Sequence, residues 1–140
     1  MQSGHVLTFP GTRAGYTRAF ADLRRALDDR GLPENARYNC ELVFEEVVTN
    51  ILKHGYTDDR EHGIEVSIDF PDSAIVMRFE DDGVPFDPLR HPPDRQTGSI
   101  VDAKVGGRGL TLLRAAASRL DYTRTPNQRN RLIVTVGTAD

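Results

Sequence analysis

Three sets of polar residues stand where hydropathy alone would place core or plain surface, and each has the residue types for chemistry. The first is Glu46, Asn50 and Lys53 within an apolar helical stretch. At about 100° per residue, Asn50 lies roughly 60°, Glu46 roughly 100° and Lys53 roughly 120° from Val47, all on one flank of the helix. Glu45 points to the far side, roughly 160° away, and reads as solvated. A carboxylate, an amide and an ammonium gathered in this way suit Mg²⁺ and phosphate, because Mg²⁺ takes oxygen ligands and usually draws only one or two from protein. The same residues would equally serve as the solvated border of a helix.

The second feature is Asp81, which continues the alternation of Ile75, Met77 and Phe79 and so faces the core side, whereas Asp82 faces away. A carboxylate there must be hydrogen-bonded or its burial costs several kcal/mol. At the floor of a pocket it can accept from an exocyclic amine; otherwise it caps the following turn through its own backbone. Gly83 just beyond it permits close approach of a ligand or of the chain. The third feature is Val105-Gly106-Gly107-Arg108-Gly109-Leu110, at the start of a helical pattern. Glycines let successive N–H groups converge on an anion at a helix N-terminus, although a flexible loop end would look the same. Neither the P-loop nor the dinucleotide fingerprint fits, since no strand precedes these glycines.

The elements that must carry these residues follow from periodicity. His5 to Phe9 reads as an edge strand ending at Pro10-Gly11, and Thr12 to Arg30 as a helix with Phe20, Leu23 and Leu27 on one face and Gly31 as its stop. A second helix opens after Pro33 and runs to Gly55, with Ala36, Cys40, Val43, Val47 and Ile51 in one stripe. Ile64, Val66, Ile68 and Phe70 alternate, as do Ile75, Met77 and Phe79 after the turn at Pro71-Asp72-Ser73. The stretch from Asp82 to Gly107 holds four prolines and is the length of a functional loop. A third helix is expected from about Arg108 to Arg119, then strands near Asp121–Thr125 and Leu132–Val136. The order β-α-α-β-β-loop-α-β-β implies one α+β domain over residues 1–140, a two-layer sandwich whose mixed or antiparallel sheet is covered on one face by three helices.

Read together, E-x-x-x-N on a helix, D-x-G-x-x-F from Asp81 to Phe86 and G-G-x-G-L from Gly106 to Leu110 resemble the N, G1 and G2 boxes of the GHKL ATP-binding superfamily, of Bergerat fold. The stretch Glu46 to Tyr56, Asp81 to Pro88 and the glycine turn are most similar to its anti-sigma-factor serine/threonine kinases. The resemblance implies that ATP and Mg²⁺ are bound, with Asn50 coordinating the metal and Asp81 accepting from the adenine amine. It implies that Gly83 gives room to the base, beside Phe86, and that Gly107, Gly109 and Leu110 present backbone to the phosphates. Lys53 and Arg108 are further phosphate candidates, although Arg108 stands where a small or apolar residue is commoner. Segment 87–105 would be the ATP lid, and Glu46 the general base for a serine or threonine hydroxyl. Thr135 is the candidate for the family's threonine on the last strand, and His54 reads as a packed structural histidine.

The implied function is an anti-sigma regulatory factor that phosphorylates a STAS-type anti-anti-sigma protein and holds a sigma factor when that partner is phosphorylated, with a homodimer expected. The alternatives are a non-catalytic ATP-dependent switch and a stand-alone histidine-kinase-like ATPase domain. Composition narrows the classes further. A net charge of -3 and scattered arginines leave no basic face for nucleic acid. The single cysteine, Cys40, excludes an internal disulfide and a thiolate cluster and reads as an inert core thiol. No signal peptide or apolar run of about 18 residues is present, so the expectation is a cytoplasmic protein without a membrane partner.

Overall fold

The computed structural model describes residues 4–56, 60–90 and 111–138. Strand β1 (His5–Pro10) leads into α1 (Arg13–Arg30), and α2 (Glu34–Asn50) continues without a break into a π-helical turn, Ile51–Gly55. The hairpin β2 (Gly63–Asp69) and β3 (Ala74–Asp81) follows, then a 3₁₀ turn at Pro88–Arg90. A third helix, α3, is described over 111–116 and precedes β4 (Arg119–Arg124) and β5 (Asn130–Gly137). The strands form one sheet in the order β1-β2-β3-β5-β4, and all four pairings are antiparallel, which decides between the two sheet types expected.

Local chemistry sets the ends of α1. Thr12 lies in extended backbone and its hydroxyl accepts from Gly15 N–H at 3.0 Å, while Gly31 closes the helix in the left-handed region at φ 69°. Alternation sets the strands: Ile64, Val66 and Ile68 point inward while Glu65 is exposed, and Ile75, Met77, Phe79 and Asp81 share the inward face of β3. The third helix is shorter at its C-terminal end than its apolar pattern predicts. It stops at 116, because Ser118 N–H donates to Thr135 O at 2.8 Å and Arg119 already pairs with Thr135 on β5.

The inward sheet face and the helices share one apolar cluster. Its hub is Phe44 on α2, fully buried, with ring centroids 5.9–6.2 Å from those of Phe9, Tyr16, Phe20 and Phe79. These neighbours come from β1, α1 and β3, so one side chain ties α2 to every layer around it. Cys40 is buried in the same stripe and burial pushes its thiol up to about 12, as expected of an inert core thiol. Among the described residues no helix is long and apolar enough to cross a membrane. Truncation at the hub, Phe44→Ala, should lower the unfolding free energy by roughly 3–5 kcal/mol in urea denaturation.

Candidate functional site

At one end of the sheet the last inward-facing residue of β3 is a carboxylate. Asp81 is 3% exposed and pairs in register with Ile64 on one side and Asn130 on the other. Its Oδ2 accepts from Gly83 N–H at 2.9 Å and from Asn130 Nδ2 at 3.3 Å. Burial raises its pKa, the two hydrogen bonds oppose that rise, Asp82 adds to it and Arg129 offsets part. Apolar walls rise around this floor: Val47 and Ile51 from α2 and its π-turn, Phe79 from β3, Leu113 from α3 and Leu132 from β5, with Asn50, Gly55, Phe86, Pro88, Tyr122 and Asn130 completing the lining. An apolar cleft with a few convergent polar groups and a perturbed carboxylate is the usual form of a small-molecule site.

The chain beyond Asp81 is held against the π-turn by backbone contact. Val84 N–H donates to Gly55 O at 2.8 Å, and a Cβ on Gly83 would stand 2.3 Å from that same oxygen. Glycine is needed at 83 because backbone fills the space where a side chain would begin. Phe86, at the pocket lip, stacks on His54 with centroids 5.1 Å apart and rings 16° from parallel. His54 is exposed, so its packing is this stack at the pocket margin and not a place in the core.

Of the helix residues expected to act, Asn50 lines the cleft and Glu46, one turn earlier, is half-buried. Burial, then the charge of Glu45, raises the pKa of Glu46, while Glu45 itself is exposed, as its angle implies. Lys53 is exposed and does not line the cleft; it sits in the π-turn, where the α-helical phase that grouped it with Asn50 no longer holds. Gly107, Arg108, Gly109 and Leu110 lie outside the described residues, as does segment 91–105 of the expected lid. Its first turn is described, with Leu89 N–H on Asp87 Oδ1 at 2.9 Å. Among the described residues no cluster of three histidine, cysteine or acidic side chains could hold a metal ion.

Thr135 is corrected by the same alternation that selected Asp81. It sits between inward Val134 and Val136, so its side chain belongs to the uncovered face of the sheet, away from the cleft. The residue of β5 that stands beside Asp81 is Asn130. It is two residues before Leu132 on the inward phase, a signal that counting back by twos would have found. Tyr122, whose hydroxyl donates to Asn130 Oδ1, follows from the same count on β4.

The model of the histidine kinase-like ATPase domain family matches residues 9–136. The chain belongs to this family. The resemblance to the GHKL ATP-binding superfamily is borne out by that match, and the chain has a kinase relative. It is 27% identical over 88 residues to the serine/threonine-protein kinase BtrW of Bordetella bronchiseptica, across 63% of this chain and 62% of that protein. It therefore spans about three-fifths of the length of that curated relative. The structure of the RsbU and RsbW domains of a Mycobacterium tuberculosis protein shares the fold, with a TM-score of 0.68 at 16% identity over 96% of this chain and 32% of the other. So does the SiaB–SiaC complex from Pseudomonas aeruginosa, at 0.60 and 16%, over 94% of this chain and 88% of the other. The two-layer α+β architecture is thus that of the ATPase domain family, with the Asp81 cleft between sheet end and α2.

The Gly83–Gly55 contact makes a stability prediction. Gly83→Ala should cost roughly 1–3 kcal/mol in thermal or urea unfolding, because the obstructing atom is backbone. Gly63→Ala, where a Cβ would meet nothing within 4 Å, should be nearly neutral in the same measurement.

Proposed function

We propose that this protein is an ATP- and Mg²⁺-dependent anti-sigma regulatory factor with serine/threonine kinase activity toward a STAS-type anti-anti-sigma partner. The observation that carries the reading is the buried Asp81 carboxylate at the floor of an apolar cleft, with both of its hydrogen-bond donors among the described residues on Oδ2. Oδ1 is then the oxygen that accepts from the adenine amine, and Phe79, Phe86, Ile51 and Leu132 supply apolar surface for the base. Support for kinase chemistry comes from the name of the BtrW relative, and support for a protein partner from a structural neighbour described as a complex with SiaC.

The donor set on α2 fits a hard cation held mainly by its nucleotide: Asn50 offers one amide oxygen, and phosphates and water complete the shell. Asn50 would hold a Mg²⁺ ion there, whose charge would offset that of the phosphates. Lys53 and Arg108 would reach phosphate oxygens, and Gly107, Gly109 and Leu110 would offer backbone N–H groups. These last roles rest on the sequence motif alone. Glu46 accepts the proton of the partner's serine or threonine hydroxyl as its oxygen bonds to the γ-phosphorus and the bond to the ADP oxygen breaks. A raised pKa suits this role, since a base works best when its pKa approaches the working pH. In this reading the protein acts in the cytoplasm as a homodimer and holds a sigma factor once its partner is phosphorylated.

A second reading, an ATP-dependent switch without transfer, draws on the fact that Glu46 does not line the cleft. Two substitutions separate these outcomes. Asp81→Asn should weaken ATP binding by at least about a hundredfold, since a site built around a hydrogen-bond partner discriminates strongly when that partner changes. Unchanged affinity in calorimetry removes the pocket assignment. Glu46→Ala should keep ATP affinity within about threefold while transfer from radiolabelled ATP to a cognate STAS protein falls roughly 10²–10⁴-fold. In the wild type, transfer should decline as the pH is lowered through the raised pKa of Glu46, above the range of an ordinary glutamate. A wild type that binds ATP and transfers nothing to any cognate partner establishes the switch.

A further inference from the structure

Asn130 uses its whole side-chain amide. Nδ2 donates to Asp81 Oδ2 at 3.3 Å and to Val84 O at 2.8 Å; Oδ1 accepts from Phe86 N–H at 3.2 Å and from the Tyr122 hydroxyl. An amide has two donor hydrogens and two acceptor sites, and all four are taken. Turning the amide over would set its oxygen against a carboxylate and a carbonyl and its NH₂ against a backbone N–H. The network therefore admits one orientation.

This has a consequence for Asp81. A carboxylate oxygen has about two acceptor sites, and those of Oδ2 are filled by Gly83 N–H and Asn130 Nδ2. A further donor must go to Oδ1, and so must any proton that Asp81 takes up. Ionised, Oδ1 accepts from an amine; protonated, it donates to a carbonyl. Two base edges that differ only in amine against carbonyl are thus told apart by the state of one oxygen, which the amide of Asn130 biases.

We propose that Asn130 is the positioning residue that sets nucleobase choice: by donating to Oδ2 it keeps Oδ1 of Asp81 an acceptor, so that the pocket takes an amine-bearing base and rejects a carbonyl-bearing one. The inference deepens the ATP-site reading above and rests on it. Other ionisable groups surround Asp81. Asp82 opposes its ionisation and Arg129 favours it, His62 lies 3.0 Å from Asp82, and burial raises the pKa of the phenols Tyr56 and Tyr122. Burial raises the Asp81 pKa as well, which brings its protonation nearer to accessible pH.

The test compares binding of adenosine and inosine triphosphate, an amine and a carbonyl at the same ring position, by calorimetry from about pH 8 to about pH 5. Both ligands carry the same triphosphate, so its own titration cancels in their affinity ratio. The wild type should prefer the adenosine ligand at least about a hundredfold at the upper pH, and the ratio should fall toward the lower. In Asn130→Leu the donor to Oδ2 is removed and no charge is added; the ratio near neutrality should fall at least about tenfold. A folded Asn130→Leu protein with the wild-type ratio overturns the proposal. If that variant does not fold, Asn130→Ala decides: a folded alanine variant with unchanged ratio overturns it equally. A wild type that binds neither triphosphate overturns the nucleotide reading itself. One that binds both with no discrimination overturns the role of Asn130 and the contact of Asp81 with the base amine, and leaves nucleotide binding standing.

Discussion

Burying one carboxylate at the end of a central strand is the constraint around which the functional end of this molecule is arranged. Taking a carboxylate out of water is unfavourable unless hydrogen bonds replace the lost solvation. The chain supplies them from two directions, Gly83 N–H two residues on and the Asn130 amide across the β3–β5 ladder. Each supplier must itself be fixed. Gly83 is fixed by contact with Gly55 at the end of the π-turn, and Asn130 by Val84, Phe86 and Tyr122. Arg124 adds a bond from Nη1 to Gly83 O at 3.0 Å, so β4 also holds this segment. The carboxylate thereby couples the ends of β3, β4 and β5 to the end of α2.

The rest of the fold makes that coupling rigid. Antiparallel pairing through β3 and β5 sets Asp81 opposite Asn130, and a slip of one residue would turn both to the uncovered face. Phe44 holds α2 at a fixed distance from the sheet through Phe79, two residues before Asp81. Asn50 then reaches the cleft because it lies less than two helical turns beyond Phe44. Core packing and site geometry share these residues, so a cavity at the hub would loosen the cleft before it unfolded the domain.

How much of this was legible in the sequence depended on the physical signal. The two-residue alternation of Ile75, Met77 and Phe79 identified Asp81 over Asp82, and the helical phase identified Glu46 over Glu45, because both periods persist where the backbone is regular. The α-helical phase does not carry through to Lys53 and His54, since nothing in the sequence announces a π-turn and each residue there advances by a different angle. Asn130 was overlooked beside Arg129 and Arg131 in what reads as a polar turn; its meaning depends on a partner 49 residues away in the chain. Thr135 shows the converse error, in which a residue of the expected type was preferred over the phase that excluded it. The C-terminal end of the third helix is hidden in the sequence, because Ala117 and Leu120 continue an apolar pattern that a strand satisfies as well.

The sign of the charge effects bears on why the site is built this way. Burial raises the pKa of Asp81, so the folded form binds the proton more tightly than the unfolded chain. That favourable contribution to stability is fully present at low pH and is lost as the pH rises through the folded-state pKa. The same holds for Glu46, whose pKa is also raised. At neutral pH both carboxylates therefore contribute less to stability than ordinary surface acids would. An apolar residue at 81 would remove that deficit there and would complete the inward face begun by Ile75, Met77 and Phe79. A buried acid in that position, with its solvation replaced on one oxygen and the other left to the cleft, is a departure from optimal packing that ligand binding accounts for and folding alone does not.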